Sequence, residues 1–242
     1  MLFLAVMLVS CAAVGLLIFH STQRFPDFYR TALQMDAHSS AVSGDEMEIN
    51  VFELQNKLRH GGQWSAVFTQ DQINGWLASD LPEKFPTALP PMVQEPRICL
   101  AKNQVHLAFQ LQSERMKGVV TAAGEIFCTD IPNLVAIKID FVKYGLLPIP
   151  IERWADQISE GFHKIGLHVT WTESEGAPVC LLKLPDQYGD IPENRFTVES
   201  IAVSKQKMQL AGQTRNQESF QESAERVITA SLEQLSENQS IH

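Results

Sequence analysis

Between Arg97 and Tyr144 the chain alternates apolar and polar residues. In QVHLAFQLQ, Val105, Leu107, Phe109 and Leu111 fall on one side, and Gln104, His106, Gln110 and Gln112 on the other. In LVAIKIDFV, Val135, Ile137, Ile139 and Phe141 share a face opposite Lys138 and Asp140. Successive side chains of an extended chain point to opposite faces, so a period of two reads as strand. One apolar and one polar face is the signature of antiparallel pairing. The intervening MKGVVTAAGEIFC carries small residues with Gly118 and Gly124, which predicts a bent or bulged strand. The later runs LHVTWT (Leu167–Thr172), APVCLLKLP (Ala177–Pro185) and RFTVESIAVSKQKMQLAGQ (Arg195–Gln213) extend the meander, the last with a turn near Ser204–Gln206.

Helical signals flank the strands. FPDFYRTALQ opens with Pro26 and Asp27, which suit a first helical turn. HSSAVSGDE reads as a break. From Glu46 to Gly62, Met47, Val51, Leu54 and Leu58 recur at helical spacing, and Gly61-Gly62 stops the run. Thr69 with Gln72 forms a capping box, with Phe68 and Ile73 placed as a hydrophobic staple. Ile73, Trp76 and Leu77 then form one stripe up to Pro82, most simply packed on a sheet. In Ile151–Ile165, Trp154, Ile158, Phe162 and Ile165 repeat at helical spacing. The fold class read from this order is α+β: a curved antiparallel sheet packed around or against helices, preceded by one transmembrane helix.

That transmembrane helix is Met1–Phe19, MLFLAVMLVSCAAVGLLIF, which carries no charged side chain. As a helix it spans about 28 Å, close to the bilayer's hydrocarbon thickness. Leu8-Val9-Ser10-Cys11 also fits the loose pattern of a lipidated cysteine, although the apolar run continues past Cys11. An ordinary signal peptide is the third reading. Arg24 and Arg30 follow the run, which by the positive-inside rule places the domain in the cytoplasm. The resulting organisation is an anchor (1–20), a juxtamembrane helical segment (21–66), an α+β domain (67–213) and a polar tail, helical or disordered (214–242).

With 28 acidic against 19 basic residues the net charge is −9, and no two Lys or Arg are adjacent. Nucleic-acid binding is disfavoured on both counts. Cys99, Cys128 and Cys180 sit in apolar runs far apart in sequence and read as buried free thiols. No nucleophile elbow, phosphate loop, dinucleotide fingerprint or metalloprotease motif occurs. His60-Gly61-Gly62 reads as a helix stop. His163 and His168 lack a third ligand. Glu173, Glu175, Asp186, Asp190 and Glu193 read as a solvated rim, and Glu152, Asp156 and Glu160 as an exposed helix face. Neither catalysis nor a metal or cofactor is expected.

One connection breaks the rule that loops are polar: Gly145-Leu-Leu-Pro-Ile-Pro150. Its prolines remove two backbone donors, so the turn can be dry. Leu146, Leu147 and Ile149 are expected to line the core, with the mouth of a lipid groove as the alternative.

The helix Thr69-Gln-Asp-Gln-Ile-Asn-Gly-Trp-Leu77, the strand meander and the turn Gly145–Pro150 entering a helix, all behind an N-terminal anchor, resemble the YpmS-like family of bacterial envelope proteins. The tubular lipid-binding class is a more distant likeness. The similarity runs over roughly Phe68–Leu184. It implies an extracytoplasmic domain with a curved sheet wrapping a helix, an apolar groove and no catalysis. The expected function is therefore a membrane-anchored, non-enzymatic protein that binds an apolar ligand such as a lipid, with Trp76, Leu77, Leu146, Leu147, Ile149, Trp154 and Phe162 as groove residues. Its partners would be the membrane, through the N-terminal helix, and a lipid or an envelope protein. The alternative is a structural or assembly module of the envelope acting through protein–protein contacts.

Overall fold

A computed structural model describes residues 25–113, 117–164, 166–186 and 195–215. The expected anchor, with Cys11 and Arg24, and the expected tail beyond Arg215 lie outside them, as do Ile165, Asp190 and Glu193. The helices are α1 (Asp27–Leu33), α2 (Ala37–His60), α3 (Gln70–Ala78), α4 (Asp80–Lys84) and α5 (Ala155–Lys164), the last preceded by a 3₁₀ turn (Ile151–Arg153). The strands are β1 (Gly62–Thr69), β2 (Val93–Ala101), β3 (Gln104–Gln112), β4 (Lys117–Cys128), β5 (Leu134–Tyr144), β6 (Leu147–Pro148), β7 (His168–Ser174), β8 (Ala177–Lys183), β9 (Arg195–Ser204) and β10 (Lys207–Arg215). No described helix is long and apolar enough to cross a membrane.

The alternating region forms the expected antiparallel meander. Strands run β2-β3-β4-β5-β8-β7 in a seven-stranded sheet, with β6 hairpinned onto β5, and β1-β10-β9 make a second sheet. Gly124 sits where β4 meets a register shift in β5, and a Cβ there would come within 2.4 Å of the Lys138 carbonyl oxygen, so the bulge requires glycine. Three differences from the sequence reading stand out. β1 begins at Gly62, so the expected boundary at 66/67 falls inside a strand. α2 begins at Ala37, not Glu46, capped by Asp36, whose carboxylate accepts from the Ser39 amide. Residues 70–84 form two helices rather than one, and Pro82 lies inside the second, α4.

The registers place α1 and α5 on opposite faces of the large sheet. Tyr29 of α1 is fully buried against Ala108 and Val119. Following Ala108↔Thr121 along β4 to Phe127↔Ala136↔Leu181↔Thr170 puts Trp171 on the other face, where α5 packs. The three-stranded sheet docks at the end that carries the β2–β3 and β4–β5 turns. Asn103 donates its amide to the Val203 carbonyl (3.0 Å), and Asn133 bonds the backbone of Phe196 and Val198. A second small core, Leu58, Trp64 and Phe196, fastens α2 to that sheet. The Gly145–Pro150 turn, reached by running the length of β5, lies at the opposite end.

Candidate functional site

The TQDQINGWL segment is occupied with the fold. Thr69 and Gln72 complete the expected capping box. The Gln70 side chain accepts from the Leu100 amide (2.8 Å), and Asn74 bonds both the N–H and the C=O of Ile98 (2.8 and 2.9 Å). α3 thereby closes off backbone groups along the outer edge of β2. Gly75 is where α2 and α3 touch: an added Cβ would meet the Ser40 carbonyl oxygen and Ser43 Cβ, each at 2.6 Å.

Leu77 of the same helix lines a cleft of about 360 Å³. Its walls are Leu77, Leu81, Phe85, Leu89, prolines 82, 86, 90, 91 and 96, and the first residues of β2. Trp76 stacks obliquely on Phe85, ring centroids 6.0 Å apart. Arg97 lines this cleft and is only 8% exposed. A bulge puts it there: the β2–β3 register shifts between Gln94 and Arg97, where Glu95, at φ 50, and Pro96 stand opposite the single residue Phe109. The Tyr29 hydroxyl donates to the Glu95 carbonyl (2.8 Å) and pins the bulge. Burial, reinforced by the Glu95 carboxylate, pushes the Tyr29 phenol up to about 12. Burial also lowers the Arg97 pKa, with Glu95 and Tyr29 acting the other way.

The other sequence-expected residues lie on the β5–β6 hairpin and on the segment that leads from it through α5. Gly145 adopts φ 60 and donates its amide to the Val119 carbonyl (2.7 Å), and the Ile149 amide bonds the Val142 carbonyl (2.8 Å). Leu146 and Leu147 are 56% and 42% exposed, so the expectation that they fill the core is corrected. The physical reason is the β5–β6 hairpin, which lets the turn project beyond the sheet. Ile149 is half-buried, and Trp154, 37% exposed, ends the 3₁₀ turn. Phe162 is half-buried on α5, a helix on which no described residue is fully buried despite its apolar stripe.

Beneath the start of α5 lies an open cleft of about 620 Å³, lined by Ile151, Glu152, Ala155, Trp171, Thr172, Glu173, Gly176 and Pro178. The Trp171 indole N–H donates to Ser159 Oγ (2.9 Å), which in turn donates to the Ala155 carbonyl (2.7 Å). That pair fixes α5 over β7 and leaves the indole face to the cleft wall. Glu175, at the β7–β8 turn, pairs with Lys138 (2.9 Å), which raises the Lys138 pKa and lowers that of Glu175.

The seven sequence-expected groove residues therefore do not share one groove. Trp76 and Leu77 stand beside β2, Leu146, Leu147 and Ile149 stand on the β5–β6 hairpin, and Trp154 and Phe162 belong to the segment that follows it and packs through α5 on β7. Sequence reading missed Trp171 and Arg97. Trp171 alternates with Val169 in β7, which could have marked it as inward-facing. A proline immediately before Arg97 at a strand start is a bulge signal. His163 and His168 do meet, ring to ring at 5.6 Å, and among the described residues no acid or cysteine joins them in a group of three. Cys99, Cys128 and Cys180 are free thiols whose pKa values burial raises. Comparison with protein-family models, with curated proteins and with solved structures finds no match.

Proposed function

We propose that this chain is a membrane-tethered, non-enzymatic protein whose α+β domain binds an apolar ligand, a lipid chain, in the cleft between α5 and the β7–β8 hairpin. The single observation that carries the reading is α5 itself. It presents Ile158 and Phe162 to a sheet face and buries neither fully. Amphipathic helices ordinarily bury their apolar stripe. Ile151 and Ala155, at the start of this segment, and Trp171 line an open cleft, with Leu146, Leu147 and Trp154 exposed nearby along the chain. A largely apolar cleft with a few polar groups is the ordinary form of a small-molecule site. Residues 1–19 act as the tether, and the likeness to YpmS-like proteins supports an extracytoplasmic placement against the Arg24 and Arg30 flank.

Native mass spectrometry of the full-length chain, extracted gently from membranes, tests this. Lipid adducts are expected on the wild type and are expected to be lost in Ile151→Asp, which puts a charge in the cleft wall, with the fold retained by circular dichroism. Adduct-free wild-type protein would sink the reading.

The assembly-module reading has its own observation. Val42, Ile49 and Phe52 on α2 are 45%, 57% and 63% exposed. Their spacing of seven and three residues puts them on one helix face, the pattern of a helix that meets another chain. Cross-linking from position 52 to an envelope protein, with no lipid adduct on the domain, would favour this reading over the first.

A further inference from the structure

Arg97 has a job the fold does not explain. It is 8% exposed, and its hydrogen bond is to the neighbouring Pro96 carbonyl (2.8 Å). No carboxylate among the described residues lies within 4.0 Å of it. The charged or titratable groups facing it are Glu95 on its own strand and Tyr29 on α1. The Glu95 carboxylate is held elsewhere, by the Gln110 side chain across the bulge. Buried charges are ordinarily paired, because an unpaired one forfeits its hydration. The bulge that aims this guanidinium requires a left-handed Glu95, a conformation with a steric cost for any residue with a Cβ. Gln94 and Glu95 also line the cleft; its other walls are apolar, and at about 360 Å³ it has room for a small ligand.

We propose that this cleft binds the anionic head of a single-chain amphiphile: a carboxylate held by the Arg97 guanidinium, with the adjoining chain against Leu77, Leu81, Phe85 and Leu89. A planar guanidinium offers two parallel N–H donors that match a carboxylate, and low exposure strengthens the pair. The apolar walls select for a chain behind the head and disfavour a bare inorganic ion. This inference is independent of the α5 cleft, which lies beside a different strand.

The test uses the full-length protein in neutral detergent with a diazirine-bearing dodecanoate, followed by mapping of the labelled peptides. Labelling is expected within residues 77–97, competed by dodecanoate and not by dodecanol. Arg97→Gln should weaken it by about tenfold or more, the loss of a charge-assisted bond, with Arg97→Lys intermediate. Glu95→Gln, which removes a like charge and keeps an acceptor for Gln110, should tighten it by about threefold. Equal competition by dodecanol, or Arg97→Gln labelling at the wild-type level, overturns the proposal. If Arg97→Gln fails to fold, Glu95→Gln decides, and no tightening there overturns it. Labelling confined to residues 151–178 also overturns it while leaving the α5 reading standing.

Discussion

Two asparagines, Asn74 and Asn133, do at side-chain scale what a strand would do at backbone scale. Each offers an amide N–H to a carbonyl and its oxygen to an N–H of a strand that has no strand neighbour on that side, and Asn133 makes a second, longer bond to the Pro185 carbonyl. Asn74 serves Ile98, and Asn133 serves Phe196 and Val198. Asn133 also sits at φ 58, a left-handed position that asparagine tolerates better than most residues. Both are buried, at 2% and 3% exposure, so truncation would strand backbone groups out of reach of water. Asn74→Ala is therefore expected to cost at least about 2 kcal/mol, read as a drop in urea midpoint at unchanged slope. The opposite sign is expected at Thr214. Its hydroxyl is buried with no hydrogen-bond partner among the described residues, as is the Trp64 indole N–H on the adjacent strand. Thr214→Val replaces that hydroxyl with a methyl of similar shape and should be neutral or stabilising by about 1 kcal/mol. A destabilised Thr214→Val in the same urea titration would show that the hydroxyl is satisfied in solution.

Among the elements, the crossing of α2 and α3 governs how the N-terminal half is held. Gly44 and Gly75 lie where a Cβ would strike the partner: Asp80 Oδ2 at 2.1 Å for the first, backbone and side-chain atoms of α2 for the second. Gly75→Ala must separate the helices and is expected to lower stability by about 1–3 kcal/mol, as overpacking does. Asp80 adds a pH dependence. Burial alone would raise its pKa, yet bonds from Lys84 and Ser79 outweigh burial and hold it below the ordinary 3.8. A carboxylate depressed on folding contributes stability that is complete above the unfolded value and disappears as pH falls through the folded one. Thermal midpoints should therefore decline below about pH 4, and Asp80→Asn should flatten that decline; an unchanged slope would assign it to other carboxylates. The same crossing explains what could be read from sequence. Alternation revealed β2 to β5 because each strand carries its own period. The capping box at Thr69 was legible because both partners lie within one turn. The first nine residues of α2 were not: Ser39, Ser40, Ser43 and Gly44 are weak helix formers that look like a break, and their small size answers to a helix about thirty residues downstream. Arg97 was signalled only by the proline before it, since its burial follows from the bulge that Glu95 and Pro96 make and from the segment 77–91 folded over it.

Across the whole molecule, the exposed turn and the start of the described chain occupy the same end. Phe25 stacks on Tyr29 at 5.8 Å, Tyr29 packs on Val119, and the Val119 carbonyl accepts from Gly145. Under the proposed tether, the described chain begins at the end of the fold that carries Leu146 and Leu147, where the apolar turn would meet lipid instead of water. Each leucine transferred into the interface would contribute up to about 1.5–3 kcal/mol. Two measurements separate this arrangement from a turn that serves the core. Leu146→Ser with Leu147→Ser should leave the unfolding midpoint within about 0.5 kcal/mol of wild type, because partly exposed side chains lose little on truncation, whereas a core pair would cost several times more. In liposomes carrying lipids brominated near the headgroup, the fluorescence that Trp154→Phe removes should be strongly quenched, and the double serine variant should relieve that quenching. If Trp154 emission is indifferent to brominated lipid while the fold and insertion are intact, the turn points away from the bilayer, and its two leucines become a surface for protein contact, as Val42, Ile49 and Phe52 are in the assembly reading.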